Sequence, residues 1–111
     1  MVEFSYNKDN HILTCSFPSR LDSMNSNEIG ETIKNKLDEL LESDHKKPTS
    51  VKDFQLIFNL EGVEYIASSF MRICLANAKR FPASKLSIIN TLPQIKKVFK
   101  IAGLDKVMDI V

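Results

Sequence analysis

Few side chains in this sequence are able to do chemistry, and most of those stand apart from one another. His11 and His45 are isolated, with no Cys, His or carboxylate neighbour at ligand spacing, which argues against a metal centre. Cys15 and Cys74 each fall in an apolar-patterned segment and read as reduced, buried small hydrophobes rather than as a disulfide. The three glycines, Gly30, Gly62 and Gly103, are too far apart for a dinucleotide or phosphate loop. No Ser, His and Asp arrangement announces a nucleophile with its base. What stands out is a pair of serines, Ser68 and Ser69, inside Val63-Glu64-Tyr65-Ile66-Ala67-Ser68-Ser69-Phe70-Met71. A phosphate on Ser68 would bring a charge of about −1.5 to −2 to that position.

The serines lie between two apolar elements that must hold them in place. Phe54 to Leu60 is a nearly continuous apolar run, which fits a central strand covered on both faces. A helical segment runs from about Ser69 to Phe81 and closes at Pro82, with Met71, Cys74, Leu75 and Ala78 on one stripe. Binding groups emerge at the carboxyl ends of strands in α/β sheets, and the free N–H groups of a helix start favour negative charge. Two readings of Ser68 follow. It is a plain N-cap with Ser69 as the first helical residue, or it is a hydroxyl held out for modification.

The remaining elements alternate between periods of two and about 3.6. Val2, Phe4 and Tyr6 form one strand; Ile12, Leu13, Cys15 and Phe17 form the next, giving a hairpin around Lys8-Asp9-Asn10. After a loop from Pro18 to Met24, Asn25 and Glu28 resemble a capping pair for a helix with Ile29, Ile33, Leu37, Leu40 and Leu41 on one face. Ser43 to Asp53 reads as an exposed polar loop. Leu86 to Ile89 is a short strand. Thr91 and Gln94 have capping-box spacing for a last helix, which turns Ile95, Val98, Phe99 and Ala102 inward and ends at Gly103. Val107 to Val111 supplies a final strand. The predicted fold is α/β, one domain over residues 1–111, with a mixed sheet of four to five strands and about three main helices.

Composition narrows the function. With 111 residues, 43% hydrophobic and 26% charged, the chain suits one ordinary globular core. A formal net charge of +1 argues against direct binding of nucleic acid. No apolar stretch approaches the roughly 18 residues of a membrane span, and the start lacks the basic-then-apolar run of a signal peptide. A cytoplasmic protein without membrane insertion, metal or cofactor is therefore expected.

Phe58-Asn59-Leu60-Glu61-Gly62-Val63-Glu64-Tyr65-Ile66-Ala67-Ser68-Ser69 resembles the signature of STAS domains, the family of bacterial anti-sigma-factor antagonists. Leu21-Asp22-Ser23 resembles that family's element before the first helix. Leu86 to Asn90 resembles its penultimate strand, and Leu92 to Phe99 with Ala102-Gly103-Leu104 its closing helix and cap. The resemblance implies a non-catalytic interaction module that works by partner switching. The unphosphorylated form binds a serine kinase that also sequesters a sigma factor; phosphorylation of the first serine prevents binding, and a phosphatase reverses it. On this chain the phosphoacceptor would be Ser68, with Asp22, Ser23, Ser69, Phe70 and Arg72 around it on the partner surface.

Two positions depart from the family pattern. Ala67 stands where an Asp is usual, and Phe70 where a Gly is usual. Phe70 is open to two roles, an exposed anchor for a partner or a residue of the core. The same departures support an alternative, a STAS-type scaffold that is never phosphorylated, such as an accessory subunit of a membrane lipid transporter. Charge is also uneven: from Asp22 to Asp44 seven acids face two lysines, and from Arg72 to Lys106 eight bases face one aspartate. Helices of opposite sign can steer a partner or a second copy.

Overall fold

The computed structural model describes residues 2–42, 54–81 and 86–111. The expected polar loop from Ser43 to Asp53, His45 and the helix stop at Pro82 lie outside these residues. The N-terminal hairpin forms as its alternation predicts: β1 (Glu3–Asn7) pairs antiparallel with β2 (Ile12–Ser16), Phe4 opposite Cys15. Its turn is held by Asn7, whose Oδ1 accepts the N–H groups of Asp9 (3.0 Å) and Asn10 (3.2 Å). His11 completes that turn at φ 55° rather than lying on the strand, and its Nδ1 is 3.3 Å from Tyr6 Oη.

The other strands add in parallel. β4 (Gln55–Asn59) lies between β2 and β6 (Leu86–Ile89), and β7 (Asp109–Ile110) closes the order β1-β2-β4-β6-β7. The register sets Leu13 beside Leu56 and Leu86, and Cys15 beside Phe58 and Ile88. All six are buried, so one face of the sheet is a continuous apolar layer. The expectation that β4 is covered on both faces holds only in part. Leu56 and Phe58 are buried, whereas Gln55, Ile57 and Asn59 on the other face keep some exposure.

Helix α1 (Ser26–Glu42) buries Ile29, Ile33 and Leu37, and α2 (Ser68–Arg80) buries Phe70 and Cys74. The two helices meet where Gly30 leaves room for Ile73; a Cβ on Gly30 would lie 3.2 Å from that side chain. Farther along, Arg80 Nη2 donates to Asp38 Oδ1 at 2.7 Å, with Lys34 also near. This hydrogen bond holds the half-exposed Asp38 carboxyl below its ordinary range. Phe54 stacks between Tyr6 and Phe81, with centroids 5.9 and 5.6 Å away. Burial pushes the Cys15 thiol up to about 12 and raises that of Cys74 as well. Both thiols are free, as their apolar surroundings lead one to expect.

Helix α3 (Pro93–Ile101) corrects two expectations. Thr91 does not cap it: Leu92 is the N-cap residue without a side-chain bond, Pro93 fills the first helical position, and the Thr91 hydroxyl is buried with no partner among the described residues. Ile95 and Phe99 face inward, but Val98 and Ala102 are exposed, because the buried stripe is narrower than the apolar pattern suggests. Gly103 ends the helix at φ 79°, a left-handed position that suits glycine. A 3-10 turn (Leu104–Lys106) then leads to β7, which is shorter than the predicted strand. No helix among the described residues is long and apolar enough to cross a membrane.

Candidate functional site

Two very short strands, beyond the reach of any sequence period, build the site. β3 (Arg20–Leu21) pairs in parallel with β5 (Tyr65–Ile66), Arg20 opposite Tyr65 and Leu21 opposite Ile66. The Glu64 N–H donates to the Ser19 carbonyl (2.8 Å), and the Ala67 N–H donates to the Leu21 carbonyl (2.7 Å). That second bond brings the residue after Leu21 beside the start of α2. Asp22 and Ser68 therefore share one corner of the molecule.

Asp22 is tied down by a reciprocal pair. Its Oδ1 accepts the N–H groups of Met24 (2.9 Å) and Asn25 (3.2 Å), while Asn25 Oδ1 accepts the Asp22 N–H (3.0 Å). This is a capping box, but it sits three residues earlier than the predicted Asn25 and Glu28 pair. Two more bonds complete the turn: Asn25 Nδ2 donates to the Arg20 carbonyl (2.8 Å), and Ser26 Oγ donates to the Asp22 carbonyl (2.5 Å). Ser23 and Met24 are consequently pushed outward, Met24 to 90% exposure.

Across the corner, Ala67 is extended (φ −99°, ψ 165°) and is itself the N-cap residue, without a side-chain bond. Ser68 is thus the first helical residue, one place later than the N-cap reading, and it is exposed. Ser69 does not join it at the surface. Its hydroxyl is enclosed, with no hydrogen-bond partner among the described residues. Phe70 corrects the anchor reading outright: it is 0% exposed, with its ring edge-on to Phe17 (5.2 Å) and near Phe58 (6.2 Å). Phe70 lies two positions after Ser68 on the helix, a turn of about 200°, which rotates the phenylalanine into the core while the serine faces water. Arg72, one turn further on, is exposed.

Sequence reasoning missed three members of this surface, Arg20, Tyr65 and Met24. The Arg20 guanidinium lies 4.3 Å above the ring of the exposed Tyr65, and Arg20 Nε is 3.6 Å from Asp22 Oδ2. The buried Val63 and Ile66 around an exposed Glu64 and Tyr65 carry a trace of the signal, but nothing local links Tyr65 to a residue 45 positions earlier. Met24 likewise sits in a loop whose direction depends on the Asp22 turn. The Ser68 hydroxyl makes no hydrogen bond to a histidine or carboxylate among the described residues, so nothing there activates it as a nucleophile. Nor is there a group of three His, Cys, Asp or Glu among them that could hold a metal. What the corner offers is an exposed acceptor hydroxyl, an ordered carboxylate, an aromatic ring with its cation and an exposed methionine.

The architecture is shared with solved structures at low identity. The unphosphorylated anti-sigma factor antagonist SpoIIAA is similar at TM-score 0.71 and 17% identity, over 100% of this chain and 88% of that one. An anti-sigma-factor antagonist (STAS) domain protein from Planctomyces limnophilus is similar at TM-score 0.74 and 18% identity, over 98% and 87%. SpoIIAA from Bacillus in its phosphorylated form gives 0.62 and 16%, over 100% and 91%. At such identities the likeness is one of fold, the SpoIIAA-like arrangement of three helices on a five-stranded mixed sheet. No curated protein is similar enough to match. The STAS domain family model, however, matches residues 3–111, nearly the whole length, and the chain therefore belongs to the STAS domain family.

Proposed function

We propose that residues 1–111 act as a non-catalytic, cytoplasmic interaction module, an anti-sigma-factor antagonist whose docking is switched by phosphate on Ser68. One observation carries the reading: Ser68 is exposed at the start of α2 beside the ordered Asp22 turn, while Phe70 is folded away beneath it. The bulky residue in place of Gly therefore leaves the hydroxyl open. The partners would be a serine kinase that doubles as anti-sigma factor, and a phosphatase. In the forward step the Ser68 oxygen bonds to the γ-phosphorus of ATP, the bond to ADP breaks, and the hydroxyl proton passes to a base on the kinase. The unphosphorylated surface presents Met24, Ser23, Tyr65 and Ser68 to the partner. A phosphate there sets about two negative charges beside Asp22, which a docked partner would have to desolvate.

The direct test uses the cognate kinase with ATP. Mass spectrometry is expected to place one phosphate on Ser68. Ser68→Ala should bind the kinase constitutively, and Ser68→Asp should bind at least about tenfold more weakly, or about 1.4 kcal/mol. Equal affinity for the two variants would reject the switch. Ala67 supports a second reading, since it leaves no carboxylate next to the serine to orient its hydroxyl. On that reading the module is an unphosphorylated scaffold, and affinity capture would recover an ATPase and permease of a lipid transporter in place of a kinase.

A further inference from the structure

The arginines around Ser68 are placed to do more than decorate the surface. Arg20 is 64% exposed at its side chain and, among the described residues, is held by a long contact to Asp22 (3.6 Å) and by the face of Tyr65. Such a contact is readily exchanged for a better anion. A phosphate dianion offers three oxygens to the planar guanidinium fork, and a bidentate pair with it is stronger than one loose carboxylate contact. The ladder of β3 with β5 puts Arg20 opposite Tyr65, three residues before Ser68, and the Leu21 to Ala67 bond fixes that spacing. Arg72 is the second arginine within reach of Ser68 by helical spacing. It lies four residues after Ser68 on α2, where side chains lean back toward the helix start, and it has no ion pair among the described residues. Asp22 beside Arg20 and the exposed Glu64 beside Tyr65 are the acidic groups that the ladder sets at this corner.

We propose that Arg20 and Arg72 form an internal clamp for a phosphate on Ser68, so that phosphorylation draws Arg20 off Asp22 and uncovers the ring of Tyr65. This rests on the reading that Ser68 is phosphorylated. It adds a mechanism to it: the modified surface differs by a rearranged arginine and an unpaired Asp22 as well as by added charge. A partner selected for the Arg20–Tyr65 stack then meets a changed shape.

The test needs neither kinase nor partner. Phosphoserine is installed at position 68 during translation, and its phosphorus resonance is titrated in the folded protein and in urea. The clamp predicts a second ionisation about one pH unit below the ordinary value of about 6, with that difference lost in urea. Arg20→Ala should remove most of the difference, Arg72→Ala part of it, and Arg20→Lys should restore some. In parallel, the Arg20 Nε–H and Tyr65 ring resonances should move on phosphorylation, and in Arg20→Ala those of Tyr65 should already sit near their phosphorylated positions. An ionisation that neither alanine variant moves overturns the clamp, even if phosphate still abolishes partner binding. A lowered ionisation that depends on Arg20 establishes it, even if the partner proves indifferent to phosphate, a result that would retire the switch alone.

Discussion

The five-stranded sheet and the two-stranded β3–β5 ladder meet along the segment from Val63 to Phe70, yet they are stabilised in different ways. The large sheet buries Leu13, Cys15, Leu56, Phe58, Leu86 and Ile88 in one layer and packs that layer against α1 and α2. The small ladder spans two residue pairs, buries Leu21 and Ile66, and leaves Arg20 and Tyr65 in water. Apolar area holds the first throughout and, through Leu21 and Ile66 alone, the inner half of the second, since each fully buried aliphatic or aromatic side chain contributes roughly 1.5–3 kcal/mol. Backbone hydrogen bonds and a turn hold the rest of the second, at about 1 kcal/mol each. Core packing and, on the proposed function, partner docking thus fall to neighbouring residues of one segment, and substitutions should separate them.

Phe70→Ala gives the largest expected effect. Removing a wholly buried ring from between Phe17 and Phe58 should lower stability by about 3–5 kcal/mol in urea unfolding. A loss below about 1 kcal/mol would mean the ring does not belong to the core, and the division between the two regions would fail. Asp22→Ala comes next. It removes the acceptor for two N–H groups of the turn, at about 1 kcal/mol by the same unfolding measurement, while partner affinity should fall out of proportion to that loss. If Asp22→Ala destabilises as much as Phe70→Ala, the turn is part of the core and not a separate platform.

The smallest effect lies away from the site and serves as a control on the packed region. Because Arg80 holds the Asp38 carboxyl below its ordinary value of about 3.9, the pair stabilises the fold above that value. The contribution fades as pH falls through the lowered folded value. Asp38→Asn should therefore melt slightly below the parent at pH 7, and the gap should close toward pH 3. A gap that stays constant with pH would mean that charge plays no part in joining α1 to α2.

What was legible in the sequence follows the same division. The hairpin, the Phe54 to Leu60 strand and the buried stripe of α1 announce themselves because long elements repeat an apolar residue at a fixed period. Of the α2 stripe, by contrast, only Cys74 is fully buried, and Met71, Leu75 and Ala78 are half-buried. Ser68 and Asp22 were singled out through a family pattern, and the ladder brings them to one corner. The ladder itself was not: two residues make no period, and Arg20 meets Tyr65 only across 45 positions of chain. Helix α1 starts directly after Asn25, as the sequence suggests, but its reciprocal capping bonds form three residues earlier, and α2 starts one residue sooner than predicted. Asp22 with Asn25, and Asn25 with Glu28, have the same spacing, and the choice between them depends on where β3 ends. Phe70 could be placed only once the start of α2 was known to within one residue.

The bonds that set Asp22 beside Ser68 run from main chain to main chain, from Glu64 to Ser19 and from Ala67 to Leu21. Any residue other than proline at positions 64 and 67 can supply those donors. The exposed groups at 20, 23, 24, 65 and 72 are therefore free to diverge without shifting the frame beneath them.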